Sequence, residues 1–206
     1  METIIHTDGD EETFLIRIFN VLPQHTYDRI KDCLKSLPYR KGFTNNGEEV
    51  PREQLWFHKD NKYFCDNWVA RFPRWDAYDY TEEILHAQQI IQDRVNNLNV
   101  TGLVKPVINS CLINYYRNGN SCIHPHRDNK SSFGERPTIV GLSIGATRTL
   151  VLKHAYKKHV NYELELTDNS IFIMAGCSQL NFLHGIPSEP SCESERWSMT
   201  FRQHLN

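Results

Sequence analysis

Arg196-Trp197-Ser198-Met199-Thr200-Phe201-Arg202 alternates strictly between polar and apolar residues. Side chains of a strand point to opposite faces in turn, so this heptapeptide reads as a half-buried β-strand. One face carries Trp197, Met199 and Phe201 and belongs to a core. The other carries Arg196, Ser198, Thr200 and Arg202. Arginine's planar fork meets carboxylates in a bidentate fashion and hydroxyls can complete the shell, so this face suits a dicarboxylate. A polar face turned to solvent is the simpler alternative.

Upstream lie His126-Arg127-Asp128 and His184. A His-x-Asp pair with one distant His makes a two-histidine, one-carboxylate facial triad, which holds Fe(II) and leaves positions open for substrate and oxygen. Alone the triplet is weak, because with ten histidines roughly 0.5 such pairs are expected by chance. Its weight comes from the arginine-bearing strand that follows. His124-Pro125-His126 offers a second imidazole, although the His-x-Asp spacing favours His126. Asn114 and Tyr116, two apart near a strand end, share a face and could hydrogen-bond an organic acid. A turn asparagine and a half-buried tyrosine are the plainer alternative. Triad and arginines together point to Fe(II)/2-oxoglutarate oxygenase chemistry.

The 206 residues suit one domain, 1–206, that can bury a sizeable core. Hydrophobic content of 39% and charged content of 23% are those of a soluble globule. Mean hydropathy is −0.56, and no run approaches the roughly 18 apolar residues of a membrane span. The acidic start is unlike a signal peptide. Cys33, Cys65, Cys111, Cys122, Cys177 and Cys192 form no Cys-x-x-Cys, which predicts free thiols in a reducing, intracellular compartment, nucleus or cytoplasm. A net charge of −2 gives no global field for nucleic acid, so such binding must rest on local patches. A monomer is the default expectation.

Phe14 to Leu22 reads as a first strand. Tyr27, Ile30, Leu34 and Leu37 recur at helical spacing between Pro23 and Pro38. Residues 41–80 lose periodicity and crowd aromatics, which predicts a lid. Thr81 can cap a helix whose buried stripe is Ile84, Leu85, Ile91, Val95 and Leu98. Short strands then dominate: Val107 to Tyr116, Thr138 to Ile144, Thr147 to His154, Val160 to Leu166, Ser170 to Ala175 and Arg196 to Gln203. The expected fold class is mainly β with flanking helices, a jelly-roll core over 107–204 with a metal in its mouth.

Collinear motifs over 51–202 resemble the AlkB family of Fe(II)/2-oxoglutarate nucleic-acid dioxygenases, and within it the animal-type repair members. They are Pro51-Arg52 with Trp56-Phe57, Leu112-Ile113-Asn114-Tyr115-Tyr116, His126-Arg127-Asp128, Gly141 to Arg148, Ile173-Met174-Ala175-Gly176, His184, and Arg196 to Arg202. The resemblance implies a double-stranded β-helix with a nucleotide-recognition lid. It implies metal ligands at His126, Asp128 and His184. It implies 2-oxoglutarate contacts at Asn114, Tyr116, Arg196 and Arg202, with Ser198 and Thr200 on the same strand face. Arg196 would take the distal carboxylate, with Arg202 and Asn114 near the chelating end. The implied reaction is demethylation of alkylated bases, with O2 and 2-oxoglutarate giving succinate, CO2 and an aldehyde. Two positions depart from the repair pattern: Ser198 stands where asparagine is usual, and Lys130 where several members carry an acid. The resemblance therefore does not carry a lesion preference across.

A base inside a duplex is out of reach, so the implied partner is single-stranded or flipped-base DNA or RNA. Tyr63, Phe64 and Trp68 are candidate stacking faces and Phe43 a candidate wedge, with Arg71 and Arg74 placed to meet phosphates. Packing of the lid onto the barrel is the alternative use of such aromatics. Arg148, Lys153, His154, Lys157, Lys158 and His159 form a second basic group, either a backbone track or a solvated hairpin tip. Competing readings are an oxygenase of proteins or small molecules, a barrel that only binds nucleic acid, and a zinc hydrolase. The aromatic lid argues against the first, the complete triad with both arginines against the second, and the paired arginines against the third.

Overall fold

The computed structural model describes residues 1–44, 46–68 and 72–205. Its architecture is three layers: helices, a large sheet and a small sheet. Numbered in chain order, the large sheet runs β1 (Glu2–Asp8), β2 (Glu11–Phe19), β11 (Ser170–Gly176), β8 (Ile139–Gly145), β13 (Arg196–Arg202), β6 (Ser110–Tyr116), β4 (Glu49–His58) and β3 (Arg40–Phe43). β5 (Ala77–Tyr78) adds a short parallel pairing to β4. The small sheet runs β10 (Asn161–Leu166), β9 (Arg148–His154), β12 (Phe182–Ile186) and β7 (Ile123–His126). All other pairings are antiparallel, and the two sheets form a double-stranded β-helix, a jelly-roll.

The central strands of the large sheet are buried on both faces, which explains their apolar sequences. Along β2, Phe14 and Ile16 join a core with α1 (Gln24–Ser36) and α2 (Glu82–Asn96), while Leu15 faces the small sheet. Helix α1 buries Tyr27, Ile30 and Leu34 as their spacing predicts. Helix α2 is capped as expected, the Ile84 N–H donating to Thr81 Oγ1 at 3.3 Å. Its stripe is shifted, however: Ala87 and Gln88 are buried, and Leu85 is exposed.

The stretch 41–80 is not one irregular cover. Residues 49–58 form β4, whose Glu53 to His58 pair with β6 without a register shift, and Leu55, Trp56 and Phe57 are core residues. Both faces of that part of β4 are covered, so it lacks the alternation that marks a half-exposed strand. The cover proper is the β3–β4 hairpin plus the residues after β4. A cluster of Trp56, Phe64, Cys65, Trp75, Leu112 and Phe133 holds the latter onto the barrel.

Candidate active site

β7 and β12 pair so that His126 stands directly opposite His184, with ring centroids 4.4 Å apart. Asp128 follows β7 by two residues, and its Oδ1 lies 3.6 Å from Nε2 of both histidines. The three donor atoms all lie within 4.8 Å of one another. Gly185 permits this crossing: a Cβ there would sit 2.7 Å from the Ile123 carbonyl oxygen. Gln179 Oε1 accepts the Asp128 backbone N–H at 2.8 Å, and α3 (Lys130–Phe133) begins just beyond.

The electrostatics prepare a cation site. Burial, then the neighbouring His126, push His184 down to about 3, so its imidazole is neutral at ordinary pH. Burial alone would raise the Asp128 carboxyl. The Arg202 guanidinium, with Nε 2.6 Å from Oδ2, and the two imidazoles instead hold it well below the usual carboxylate range. His126 Nδ1 lies 3.0 Å from the His124 carbonyl, an acceptor only, so Nδ1 carries the proton and Nε2 presents its lone pair. Two imidazoles and one carboxylate oxygen are the donor set that suits Fe(II).

A second group, His6, Asp8 and His154, has its donor atoms equally close. Proton placement separates the two groups. His154 Nδ1 accepts backbone N–H groups from Tyr156 at 3.2 Å and Lys157 at 3.1 Å, so its proton sits on Nε2. That nitrogen faces Asp8 Oδ2 at 3.5 Å as a donor, and Lys157 Nζ meets Asp8 Oδ1 at 2.7 Å. Through these Asp8 contacts the group clips the β1 edge to β9, with His154 turned to Asp8 as a donor.

From the triad a cavity of about 460 Å³ runs into the barrel and out to the lid. Leu112, Asn114 and Tyr116 of β6 line it, and so do Arg196, Ser198, Thr200 and Arg202 of β13. Arg196 is almost fully buried, and its Nη2 donates to Ser143 Oγ at 2.9 Å. Its Nε and Nη1 have no partner. An unpaired buried guanidinium facing a cavity fits a ligand carboxylate. Asn114 Oδ1 accepts from both Arg52 Nε and Gln54 Nε2, each at 2.9 Å, which leaves its NH2 group to donate elsewhere. Arg52 and Ser143 fall inside motifs read from the sequence but had no role there, and Gln54 and Gln179 were not singled out at all. Arg52 and Gln54 were legible in principle, because they share a β4 face with Trp56.

The candidate substrate contacts divide. Phe43 is exposed, and Trp68 is half-buried and lines the cavity. Phe64 also touches the cavity but is a packing residue: it stacks on Trp75 at 4.3 Å, and its carbonyl accepts from Ser132 Oγ at 2.7 Å. Phe64→Ala should destabilise the protein by about 3–5 kcal/mol, visible as a lowered Tm. An unchanged Tm would restore it as a stacking face. Tyr63 is turned to the lid's own backbone, donating to the Phe72 carbonyl at 2.9 Å. Arg148 is not on a backbone track: it is 1% exposed. Its guanidinium donates to the carbonyls of Asn118, Gly119, Ser121 and Pro187, gathering two loops. His154 of that basic group is buried as well. Arg74 donates to the Phe43 carbonyl at 2.8 Å and braces the hairpin, while Arg71 lies outside the described residues.

The sequence profile described as the 2OG-Fe(II) oxygenase superfamily matches residues 14–202. The alpha-ketoglutarate-dependent dioxygenase alkB homolog 3 of Homo sapiens is 33% identical over 104 residues, 46% of this chain and 36% of that protein. The DNA oxidative demethylase ALKBH2 of Bos taurus is 30% identical over 122 residues, 56% of this chain and 42% of that protein. These matches thus span well under half of each relative's length. Among solved structures, that titled "The structure of OsALKBH1" superposes with a TM-score of 0.66 at 16% identity, over 98% of this chain and 100% of that one. A Trichoplax adhaerens prolyl hydroxylase superposes with a TM-score of 0.60 at 13% identity, over 93% and 83% of the two chains. Both are likenesses of fold.

Proposed function

The chain belongs to the 2OG-Fe(II) oxygenase superfamily, whose cofactor is Fe(II) and whose cosubstrate is 2-oxoglutarate, and on that premise we propose that it oxidatively dealkylates bases in DNA, RNA or both. One observation carries the reading: a single cavity joins the His126, Asp128 and His184 cluster to the unpaired Arg196 inside and to Trp68 and Trp75 of the lid outside. The relatives' names, a dioxygenase and a DNA demethylase, support it.

In this reading His126, Asp128 and His184 hold the iron. Bound there with 2-oxoglutarate and O2, it supplies the oxidising chemistry, with succinate, CO2 and formaldehyde as products. Arg196 and Ser143 take the distal carboxylate, beside Tyr116, Ser198 and Thr200. Asn114, its amide oriented by Arg52 and Gln54, donates to the cosubstrate. Arg202 fixes the Asp128 carboxylate, so one oxygen stays free for the metal. Apolar walls such as Leu112, Ile123 and Ile186 keep water from the reacting carbon. The target base must be single-stranded or flipped to enter, with Trp68 as a stacking face and Phe43 as a wedge at the mouth. All six cysteines are free, which supports a reducing, intracellular location. The chain acts as a monomer in this reading.

The test is succinate formation by iron-loaded protein with single-stranded DNA or RNA carrying 1-methyladenine, 3-methylcytosine or 3-methyluracil. Succinate should rise with a methylated strand, and that strand should lose the mass of one methylene. Succinate indifferent to every strand would move the substrate to proteins or small molecules. None at all would leave a barrel that only binds.

A further inference from the structure

The charge of the accepted base follows from the cavity's own charges, granted the dealkylase reading above. Arg52 of β4 reaches the cavity, and its neighbours are an amide and a carbonyl: Nε donates to Asn114 Oδ1 at 2.9 Å and Nη1 to the Cys122 carbonyl at 3.5 Å. No carboxylate pairs with it among the described residues. Arg127 also lines the cavity, its Nη2 on the Leu180 carbonyl at 2.8 Å. Arg196 and Arg202 make four guanidiniums.

Three carboxylates face them. Asp128 is buried and already bound to Arg202. Glu49 pairs with Lys41 at 2.9 Å, and Glu48 beside it is exposed on the hairpin. Rim charges are screened by solvent, whereas a buried guanidinium acts through protein. Lys130 does not reach the cavity wall and pairs with Glu135. Arg127 is exposed and is screened in the same way as the rim charges. The charges of Fe(II) and the 2-oxoglutarate dianion cancel, so a base entering the cavity meets Arg52, Arg196 and Arg202 against one committed carboxylate.

We propose that the cavity selects neutral N-methylated bases of the imide type, with a carbonyl on each side of the methylated nitrogen, over cationic ones such as 3-methylcytosine. Carbonyl oxygens accept from Arg52, whereas a cationic base brings donors and a like charge against it. A neutral base is also the easier one to bury. The chemistry balances. One oxygen atom of O2 enters the N–CH3 carbon to give N–CH2OH, while the other enters succinate as 2-oxoglutarate loses CO2. The C–N bond then breaks, the hydroxyl proton passes to the imide nitrogen, and formaldehyde leaves. Negative charge gathering on the imide as that bond breaks is stabilised by a nearby guanidinium.

The experiment compares two single-stranded oligonucleotides that differ at one position, 3-methyluracil against 3-methylcytosine, by kcat/KM for methyl loss. The wild-type protein should favour 3-methyluracil at least tenfold. Arg52→Gln should bring that ratio to within about threefold of unity, and Arg52→Lys, which keeps the charge, should preserve it. Because the reading is a ratio, a general loss of activity in either variant does not decide it. Preference of the wild type for 3-methylcytosine overturns the inference and leaves the dealkylase reading standing, as does a ratio unmoved by Arg52→Gln. Loss of methyl from no strand, with 2-oxoglutarate still consumed, overturns both.

Discussion

His126→Ala is expected to form no succinate above the enzyme-free background, yet to stay within about 1 kcal/mol of wild-type stability. On the proposed ligand set, removing one of three facial ligands leaves Asp128 and His184 alone to hold the iron, so metal and turnover should disappear together. Stability is spared because the His126 side chain is 36% exposed and its hydrogen bond to the carbonyl of His124 is local. The choice of residue matters. Asp128→Ala would also stop turnover, but it would strip the buried Arg202 of its carboxylate and cost about 3–5 kcal/mol, which confounds chemistry with folding. The readouts are iron per protein, succinate by mass spectrometry and a melting curve. Turnover retained with stoichiometric iron would remove His126 from the ligand set and turn attention to His124, which also lines the cavity.

What the sequence revealed, and what it hid, follows from where each segment's neighbours come from. β13 was legible because its alternation is intrinsic: Trp197, Met199 and Phe201 face the helices' core, while Arg196, Ser198, Thr200 and Arg202 line the cavity. The candidate ligands could be picked out from spacing, and they do cluster, yet the strands that carry the two histidines could not. Ile123-His124-Pro125-His126 contains a proline and little apolar content, and Phe182 to Ile186 contains a glycine. They become strands by pairing with each other across some sixty intervening residues. β1 was missed for a related reason, since its polar, largely exposed residues are organised by pairing with β2. Arg148 shows the harder limit. Its burial depends on carbonyls from two loops far apart in the chain, Asn118 to Ser121 and Pro187, and no local pattern announces that. Phe64 and Trp68 likewise look alike in sequence. Only the packing of Phe64 against Trp75 and Trp56 assigns one to the core and leaves the other facing the cavity.

Arg196→Met should raise the 2-oxoglutarate requirement about a hundredfold, and it should do so without weakening the ligand-free protein. The two halves of that expectation share one cause. Arg196 is 1% exposed, and Ser143 Oγ satisfies only one of its three nitrogens. Burial lowers its pKa, with Tyr116 opposing and Arg148 adding to the shift, the sign of a charge held where it is disfavoured. Glu189 lies 3.7 Å from Arg148, not against Arg196. With the pocket empty, an apolar side chain of similar length relieves that penalty, so the variant should melt no lower than wild type. With 2-oxoglutarate and a redox-inactive divalent metal at about 100 times the wild-type Kd, the wild type gains about 2.7 kcal/mol by linkage. The variant has lost one partner of a buried charge pair, worth about 2–5 kcal/mol, and should gain almost nothing. The order of the two melting temperatures should therefore invert on adding cosubstrate. A purely structural arginine would lower the Tm of the variant equally in both conditions, and that outcome would place the carboxylate pocket elsewhere.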